Sequence, residues 1–390
     1  MALAHYFPVT DASELELEAD RAAASGDLAA ARRSLESAVS SGNPSLELWT
    51  KLSAIRRALG DMDGALAAID QALALSPLDF SALLARAMLL ERAGHRSSGE
   101  AFSNALAQLP PDGALPQSMA AAIDHARKRA HQHRDSIERR LLESIPEGLS
   151  ADQRRKLERL ASNNARRTRH FHQEPTNFHF PGMPEIEFHD PAQFAGIGEI
   201  EAATDRIRAE YEALIRSELG ELVPYTQYPD HVPLAQWKEL NNNRDWTAIH
   251  LLQNGSRVEA NARHCPETLA LLSRLAQPHI PGAAPNAMFS LLAPRTRIPP
   301  HTGVANVRLV AHLPLIVPEG CGFRVGATTR EWEVGKLLVF DDTIEHEAWN
   351  DSDELRVVLI FDLWPPALDD VERDAVAKLI GAAGVTFKGA

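Results

Sequence analysis

The chain has 390 residues, of which 44% are hydrophobic and 24% charged, and its formal net charge at pH 7 is −13. This length is more than one ordinary hydrophobic core holds, so the sequence predicts two domains. The composition is that of a folded protein and excludes a largely disordered chain. The acidic balance disfavours a protein whose whole surface binds nucleic acid.

Two absences bear on the compartment. No stretch is as long and apolar as a membrane helix requires, and the N-terminal residues lack the charged and apolar regions of a secretory signal peptide. Cys265 and Cys321 are the only cysteines, so at most one disulfide can form. Because these features are typical of a reducing environment, we expect a cytoplasmic protein without a transmembrane segment.

The first hundred or so residues contain an internal repeat. Glycines recur every 34 residues and prolines every 33, at Gly26, Gly60, Gly94, Pro44, Pro77 and Pro110. Glycine at a helix–helix turn and proline after the second helix, with this period, resembles tetratricopeptide (TPR) repeats. We therefore predict a TPR-like helical repeat domain over residues 1–115. The alternative is an Ala-rich helical bundle whose period is accidental.

Residues 116–175 are predicted to be a basic helical connector. Basic clusters occur at Arg127-Lys128-Arg129, Arg139-Arg140, Arg154-Arg155-Lys156 and Arg166-Arg167. They could form a docking surface for an acidic partner or nucleic acid. We favour a solvated helix face, because acidic residues such as Glu138 and Glu158 are interspersed among them.

From residue 176 to 390 the pattern changes to short β-type runs separated by Gly, Pro and Asn. A helix is predicted near Ile200–Leu219, and strands are predicted at Trp246–Leu252, Ala287–Leu292, Val307–Leu315, Glu331–Phe340 and Leu355–Trp364. Many short strands with tight turns favour a sandwich or barrel over a parallel doubly wound sheet. The chain is therefore predicted to be an α+β multidomain protein.

Two histidines and an arginine in this part have a suggestive order. His301 precedes a predicted strand, His346 lies 45 residues later, and Arg356 follows after ten more. Arg356 shares a strand face with Val358 and Ile360, where its charge is costly unless it meets an anion such as a dicarboxylate. Imidazole ligands suit Fe(II). Together these residues predict a non-haem iron site in a double-stranded β-helix, a jelly-roll (cupin-like) barrel.

Several short stretches around these residues extend the pattern. They are Pro300-His301-Thr302-Gly303, Asn306-Val307-Arg308-Leu309, Ala311-His312-Leu313, Trp332-Glu333-Val334-Gly335-Lys336, Phe340-Asp341-Asp342, Glu345-His346-Glu347-Ala348-Trp349-Asn350 and Leu355-Arg356. Together they resemble the signature of the aspartyl/asparaginyl β-hydroxylase family. The resemblance extends over about residues 180–366, and helical repeats ahead of the barrel also resemble the longer members.

The resemblance implies a dioxygenase that uses Fe(II), 2-oxoglutarate and O₂ and releases succinate and CO₂. By that resemblance, His301 and His346 are the catalytic metal ligands. Gly303 stands where the common two-His, one-carboxylate triad has its carboxylate, so a solvent molecule would complete the coordination. The alternative is that Asp341 or Asp342 supplies the third ligand.

The resemblance also assigns the co-substrate and substrate sites. Arg356 would bind the distal carboxylate of 2-oxoglutarate, with Ser290 and His312 also binding the co-substrate. Arg308 would lie close to the substrate. Better-known members carry a second arginine two residues later, where this chain has Val310, so the resemblance leaves the substrate open.

The expected substrate is an aspartyl/asparaginyl-type side chain in a protein, a peptide or an amino acid. The alternatives are another 2-oxoglutarate oxygenase on the same barrel, such as a lipid-acyl hydroxylase or a halogenase, and a non-catalytic TPR binding protein. The repeats could recruit a protein partner. Trp349 is expected either to exclude water from the reaction or to pack in the core.

Overall fold

The structure is a computed structural model that describes residues 12–111, 117–217, 220–229, 231 and 233–384. These residues form two compact units, the first ending at Thr168 and the second beginning at Arg169. Within the described ranges, no helix is long and apolar enough to cross a membrane.

The first unit consists of helices. They are α1 (Ala12–Ala24), α2 (Leu28–Ser40), α3 (Leu46–Ala58), α4 (Met62–Leu75), α5 (Phe80–Arg92), α6 (Ser98–Leu106), α7 (Ala120–Glu143) and α8 (Ala151–Asn164). The first six pack as consecutive pairs, α1 with α2, α3 with α4, and α5 with α6. The predicted TPR-like helical domain is thereby confirmed.

The repeated glycines lie in the turn within each helix pair. Gly26, Gly60 and Gly94 have φ angles of +88°, +83° and +69°, a left-handed conformation that strains any residue with a Cβ atom. After the first two, Asp27 and Asp61 cap the next helix by accepting a hydrogen bond from the backbone N–H three residues on. The 34-residue period is therefore a period of helix ends.

The basic segment forms helices whose charged face is solvated. Helix α7 buries Ile123 and Ala130 in one apolar cluster with Phe102 of α6. On its exposed face, Arg129 forms an ion pair with Glu91 of α5. This arrangement agrees with the solvated-face interpretation, and it shows that α7 continues the packing of the repeats.

The second unit combines strands with peripheral helices. Its strands are β1 (Phe188–His189), β2 (Val223–Pro224), β3 (Trp246–Gln253), β4 (Ser256–Arg257), β5 (Ala287–Leu292), β6 (Thr296–His301), β7 (Leu309–Ile316), β8 (Cys321–Val325), β9 (Thr328–Arg330), β10 (Leu338–Phe340), β11 (His346–Asn350) and β12 (Arg356–Leu363). Its helices are α9 (Ile197–Ala202), α10 (Thr204–Arg216), α11 (Glu259–Ala262), α12 (Pro266–Leu272) and α13 (Asp370–Ala383).

The strands form two antiparallel sheets. The larger has the order β1-β10-β7-β12-β5-β3-β2 with β4 paired to β3, and the smaller has the order β6-β11-β8-β9. From β5 to β12 the chain passes repeatedly between the sheets, so β5, β7, β10 and β12 lie in one and β6, β8, β9 and β11 in the other. This topology is compatible with the predicted double-stranded β-helix.

Strand alternation divides the core into two apolar clusters. In β12, Val357, Leu359 and Phe361 pack with residues of α9, α10 and α12, on the outside of the larger sheet. Val358 faces the space between the sheets, together with aromatic residues such as Phe323. The inner face is where the candidate site lies.

Two predicted elements differ from the observed ones. The helix expected near Ile200–Leu219 is divided at Ala203 into α9 and α10. Of the strand expected over Glu331–Phe340, only Leu338–Phe340 is extended. Gly335 has a φ of +79°, so a turn replaces the first part of that strand.

Candidate active site

A cavity of about 630 Å³ lies between the two sheets of the second unit. Both sheets contribute to its wall, and so does the segment that contains β2. Its lining includes all the site residues predicted from the sequence: His301, His346, Ser290, Arg308, His312 and Arg356. The fold thus gathers residues from β5, β6, β7, β11 and β12 and from the segment before β7.

The two histidines are direct cross-strand neighbours. His301 ends β6 and His346 begins β11, and the two are register partners whose ring centroids are 4.0 Å apart. The Nδ1 atom of His301 hydrogen-bonds the carbonyl oxygen of Pro299 at 2.8 Å, and Nδ1 of His346 that of Ile344 at 3.1 Å. These bonds fix the tautomer in which Nε2 carries the lone pair, as in metal-binding histidines.

Burial keeps both imidazoles neutral near pH 7. It lowers the pKa of His301 to about 4. It also lowers the pKa of His346 well below its usual range, and the neighbouring His301 contributes to that shift. A neutral imidazole is the form that binds a metal, so no proton has to be displaced from either Nε2.

The space beside Gly303 is filled by Asp342. A Cβ atom at position 303 would come within 2.1 Å of Oδ2 of Asp342. Asp342 is buried, and its Oδ1 has no hydrogen-bond partner among the described residues. Burial raises its pKa to about 7, although Arg308 opposes the shift. Asp342 therefore stands beside the position that lacks a side chain.

Asp341 has a different role. Its Oδ1 accepts hydrogen bonds from the backbone and hydroxyl of Thr343, at 2.9 and 2.6 Å, and Oδ2 accepts one from Gln173. These bonds hold the loop before His346. Of the two aspartates considered as a third ligand, only Asp342 lines the cavity.

Arg308 is enclosed by two carboxylates. Its Nη2 lies 2.8 Å from Oδ2 of Asp342 and its Nη1 lies 2.9 Å from Oδ1 of Asp362, and all three side chains are at most 3% exposed. Asp362 in turn accepts two hydrogen bonds from Asn286. Arg308 lines the cavity, and its charge is balanced inside the protein.

Arg356 has no such balance. It is 2% exposed, and within the described ranges no carboxylate forms an ion pair with it. Its guanidinium lies 5.0 Å from the ring centre of Trp332 and donates one long hydrogen bond, 3.4 Å, to the carbonyl oxygen of Ser290. Burial lowers its pKa to about 10, which leaves it positively charged. A buried guanidinium of this kind is stabilised by an anionic ligand.

Further nitrogen atoms near Arg356 lack a partner. Nδ1 of His312, Nε1 of Trp332 and Nε of Arg356 are buried without a hydrogen bond to any described residue. The hydroxyl oxygen of Ser290 accepts a bond from Nε1 of Trp246 at 3.1 Å, so its own hydrogen is available to donate. This cluster of donors suits the oxygens of a carboxylate.

Aromatic rings close the cavity around the histidines. Trp246 stacks on Tyr225 with ring centres 3.8 Å apart, and Trp237 lies 4.9 Å from His301. The sequence assigns no role in the site to the rings of Tyr225, Trp237, Trp246 and Trp332. Trp246 begins a predicted strand and Trp332 lies in a stretch that carries the family resemblance, but only the fold brings these rings to the histidines.

Trp349 lies outside this wall. On β11 it points to the face opposite His346. There its ring packs over Gly322 and lies 5.8 Å from the guanidinium of Arg297. Of the two roles expected for Trp349, its position supports packing, and Phe340 and Trp332 line the cavity instead.

The remaining part of the cavity mixes polar and apolar side chains and carries little charge. Its lining includes the neutral side chains Gln227, Tyr228, His250, Gln253, Asn254, Met288 and Val310. Burial lowers the pKa of His250 to about 4, so its imidazole is neutral. Glu221 is the charged residue that this part of the lining contains among the described residues.

The part of the chain that forms this cavity is similar to known proteins. The family model described as aspartyl/asparaginyl beta-hydroxylase matches residues 201–366. Aspartyl/asparaginyl beta-hydroxylase of Mus musculus is 38% identical over 148 residues, which are 37% of this chain and 20% of that protein. Ornithine lipid ester-linked acyl 2-hydroxylase of Rhizobium tropici is 35% identical over 196 residues, which are 50% of this chain and 66% of that protein.

The matched region is thus about a fifth of the mouse protein's length. Among solved structures, that of PcrH from Pseudomonas aeruginosa aligns with 34% of this chain and 98% of its own at 15% identity, with a TM-score of 0.28. The family match lies within the second unit and includes both histidines, Arg308, His312 and Arg356. The second unit of this chain therefore belongs to the aspartyl/asparaginyl β-hydroxylase family.

Proposed function

We propose that the protein is an Fe(II)- and 2-oxoglutarate-dependent dioxygenase that hydroxylates an aspartyl/asparaginyl-type substrate. One observation carries the proposal: the buried, uncompensated guanidinium of Arg356 shares a cavity with two neutral, tautomer-fixed histidines. Such an enzyme must bind a metal and a dicarboxylate. The pair of imidazoles suits Fe(II), and the guanidinium suits a carboxylate of the co-substrate.

The residues fit both groups. His301 and His346 would bind the metal through Nε2, and Arg356 would bind the distal carboxylate of 2-oxoglutarate with the Ser290 hydroxyl and His312 beside it. When bound, iron and 2-oxoglutarate supply the chemistry that uses O₂ to convert a substrate C–H bond to C–OH, with release of succinate and CO₂. The protein binds, orients and excludes water.

Asp342 supports solvent at the third protein position. Its Oδ1 lacks a partner and can accept a hydrogen bond from a water molecule beside Gly303, whereas Asp341 is held by Thr343 and Gln173. The same side chain argues against a halogenase, because Asp342 already fills the space beside Gly303 where a halide would bind. An uncompensated Arg356 likewise argues against a non-catalytic barrel.

The charges of the lining favour a neutral substrate side chain. Arg308 is balanced by Asp342 and Asp362, and Arg356 would be taken by the co-substrate. A substrate carboxylate would then lose its hydration on entering the cavity and find no counter-ion there, and this desolvation costs free energy. A substrate amide, in contrast, can hydrogen-bond with residues such as Gln253. We therefore favour asparaginyl over aspartyl substrates.

A lipid-acyl hydroxylase is the second candidate. The match to the Rhizobium tropici acyl 2-hydroxylase covers 66% of the length of that protein, whereas the match to the mouse hydroxylase covers 20% of the length of the mouse protein.

We also propose a cytoplasmic location, since Cys265 and Cys321 are both free thiols buried in the structure. The TPR-like unit would recruit a protein substrate.

The test is succinate release with Fe(II), 2-oxoglutarate and O₂. Peptide pools would be supplied as pairs that differ only by Asn or Asp at one position, beside ornithine lipid vesicles. We expect release with Asn peptides and a mass gain of one oxygen in the peptide. Release with the vesicles alone would favour the second candidate, and a protein that binds no 2-oxoglutarate would contradict both.

A further inference from the structure

The segment that opens the second unit places two histidines side by side on the surface. In Arg169–Gln173 alternate residues point in opposite directions, so that Phe171 and Gln173 are half-buried while His170 and His172 are exposed. Glu185 returns to the same place after the turn at Gly182. None of these three exposed residues lines the cavity described above.

Their ligand atoms lie at distances that suit a metal. Nδ1 of His172 is 3.1 Å from Oε1 of Glu185, and Nε2 of His170 is 3.4 Å from Oε2 of the same carboxylate. One ligand atom of each residue lies within 4.8 Å of the other two. Ligand atoms of a tetrahedral zinc site are about 3.4 Å apart, given metal–nitrogen bonds of about 2.0–2.1 Å.

The hydrogen atoms available do not satisfy this cluster. If Nδ1 of His172 donates to Glu185, its Nε2 is an acceptor, and Nδ1 of His170 must donate to it. Nε2 of His170 then carries a lone pair that faces the second oxygen of the Glu185 carboxylate. Two lone pairs at this distance repel each other unless a cation, either a proton or a metal ion, lies between them.

We propose that His170, His172 and Glu185 form a second metal site, on the surface, that binds a divalent cation of the zinc type. Two imidazoles and one carboxylate are a ligand set that Zn²⁺ takes with water in the fourth position. The site is separate from His301 and His346 and does not depend on the proposed catalytic function.

The site would fasten the start of the second unit to the loops of the active site. Gln173, next to His172, donates to Asp341 and accepts from Asn306, and its backbone N–H donates to Glu185 at 3.0 Å. Asp341 and Asn306 belong to the loops beside His346 and His301. A metal bound here would restrain Gln173 through its neighbour His172, and Gln173 contacts the loops beside both His301 and His346.

Calorimetric titration of ZnCl₂ into the full chain tests the proposal. We expect two zinc ions per parent chain, one at His301 and His346 and one at the surface. His170→Ala and Glu185→Gln should each remove the second ion or weaken its binding at least tenfold. His179→Ala removes an exposed histidine of the same segment and is the matched control; it should bind as the parent does.

The outcomes separate the two sites. Loss of an ion in His301→Ala alone, with zinc binding by His170→Ala and Glu185→Gln unchanged, overturns the surface site. Loss in His170→Ala alone supports the surface site and contradicts the catalytic one. As a second readout, zinc should raise the Tm of His301→Ala but not that of His170→Ala/His301→Ala, since only a native-state ligand stabilises the fold.

Discussion

At the residue scale, the positively charged Arg356 lies on the inner face of β12. Arg356 shares that face with Ile360, which also lines the cavity, and it contacts Trp332 and the Ser290 carbonyl. Arg308 has two carboxylates and needs no ligand, whereas Arg356 has donors without acceptors. Substitution of Arg308 would therefore break ion pairs within the protein, whereas substitution of Arg356 would remove a binding group for an anionic ligand.

Replacing Arg356 should abolish most co-substrate affinity. Loss of one partner of a buried ion pair costs about 3–5 kcal/mol, and each ~1.4 kcal/mol is tenfold. Arg356→Ala should therefore weaken 2-oxoglutarate binding by a factor of about a hundred or more. Arg356→Lys should recover only part, because a point charge cannot form the bidentate contact.

The measurement is calorimetry with metal-loaded protein in the absence of oxygen. Iron binding should survive both substitutions, and Arg297→Ala, an exposed arginine on the outer face of the smaller sheet, should bind 2-oxoglutarate as the parent does. Parent-like binding by Arg356→Ala would remove the basis for this co-substrate.

Asp342 predicts a pH dependence of stability. Its pKa is raised from the usual value to about 7, mainly by burial. A carboxyl whose pKa is higher in the folded state contributes stability below its unfolded pKa and loses it as the pH rises through the folded value. Relative to Asp342→Asn, the parent should thus become less stable between about pH 4 and pH 8. Urea unfolding of both proteins across this range tests the sign, and a constant difference would contradict it.

The candidate site could be predicted from the sequence only where local signals exist. His301, His346 and Arg356 stand out because their spacing around short strands is chemically unusual. The contributions of Trp332, Tyr225 and the Asp342 carboxylate depend on contacts between distant segments, which no periodicity reports. The ion pairs that balance the charge of Arg308 likewise join segments that are distant in the sequence, so they could not be predicted from it.

At the element scale, helix ends gave the most reliable signal. The period of Gly26, Gly60 and Gly94 predicted helical repeats, and the structure shows why: a left-handed turn residue recurs once per helix pair. The strand expected over Glu331–Phe340 was wrong in its first part, since the turn at Gly335 interrupts a run that has strand-like residues on both sides.

The turn glycines can be tested by a matched pair. Gly60→Ala places a Cβ atom in open space but at a φ of +83°, so it should destabilise the first unit by about 1–2 kcal/mol. Gly42 lies between α2 and α3, also with no atom within 4 Å, and has no left-handed φ. Gly42→Ala should leave the free energy of unfolding unchanged or raise it by about 0.4–1 kcal/mol. Equal effects in thermal unfolding would contradict the conformational explanation.

At the scale of the whole molecule, the chain divides at Thr168 and Arg169. The segment expected as a connector over residues 116–175 contains α7, whose residues Ile123 and Ala130 pack with the repeats. Truncation after residue 115 would expose that apolar face. A cut at the boundary between the units leaves each core intact, which makes it the better experiment.

We expect a chain that begins at Arg169 to keep its 2-oxoglutarate affinity and its kcat on short peptides. If the TPR-like unit recruits a protein substrate, the KM for a long substrate should rise while the KM for a peptide of the same acceptor sequence stays constant, because the lost contacts bind substrate and transition state equally. Steady-state succinate release from both substrates measures this. The Gly60→Ala chain provides the control for general loss of stability. Equal KM values for the full and shortened chains on the long substrate would show that the repeats serve another purpose, while unchanged 2-oxoglutarate binding would leave the assignment of the barrel intact.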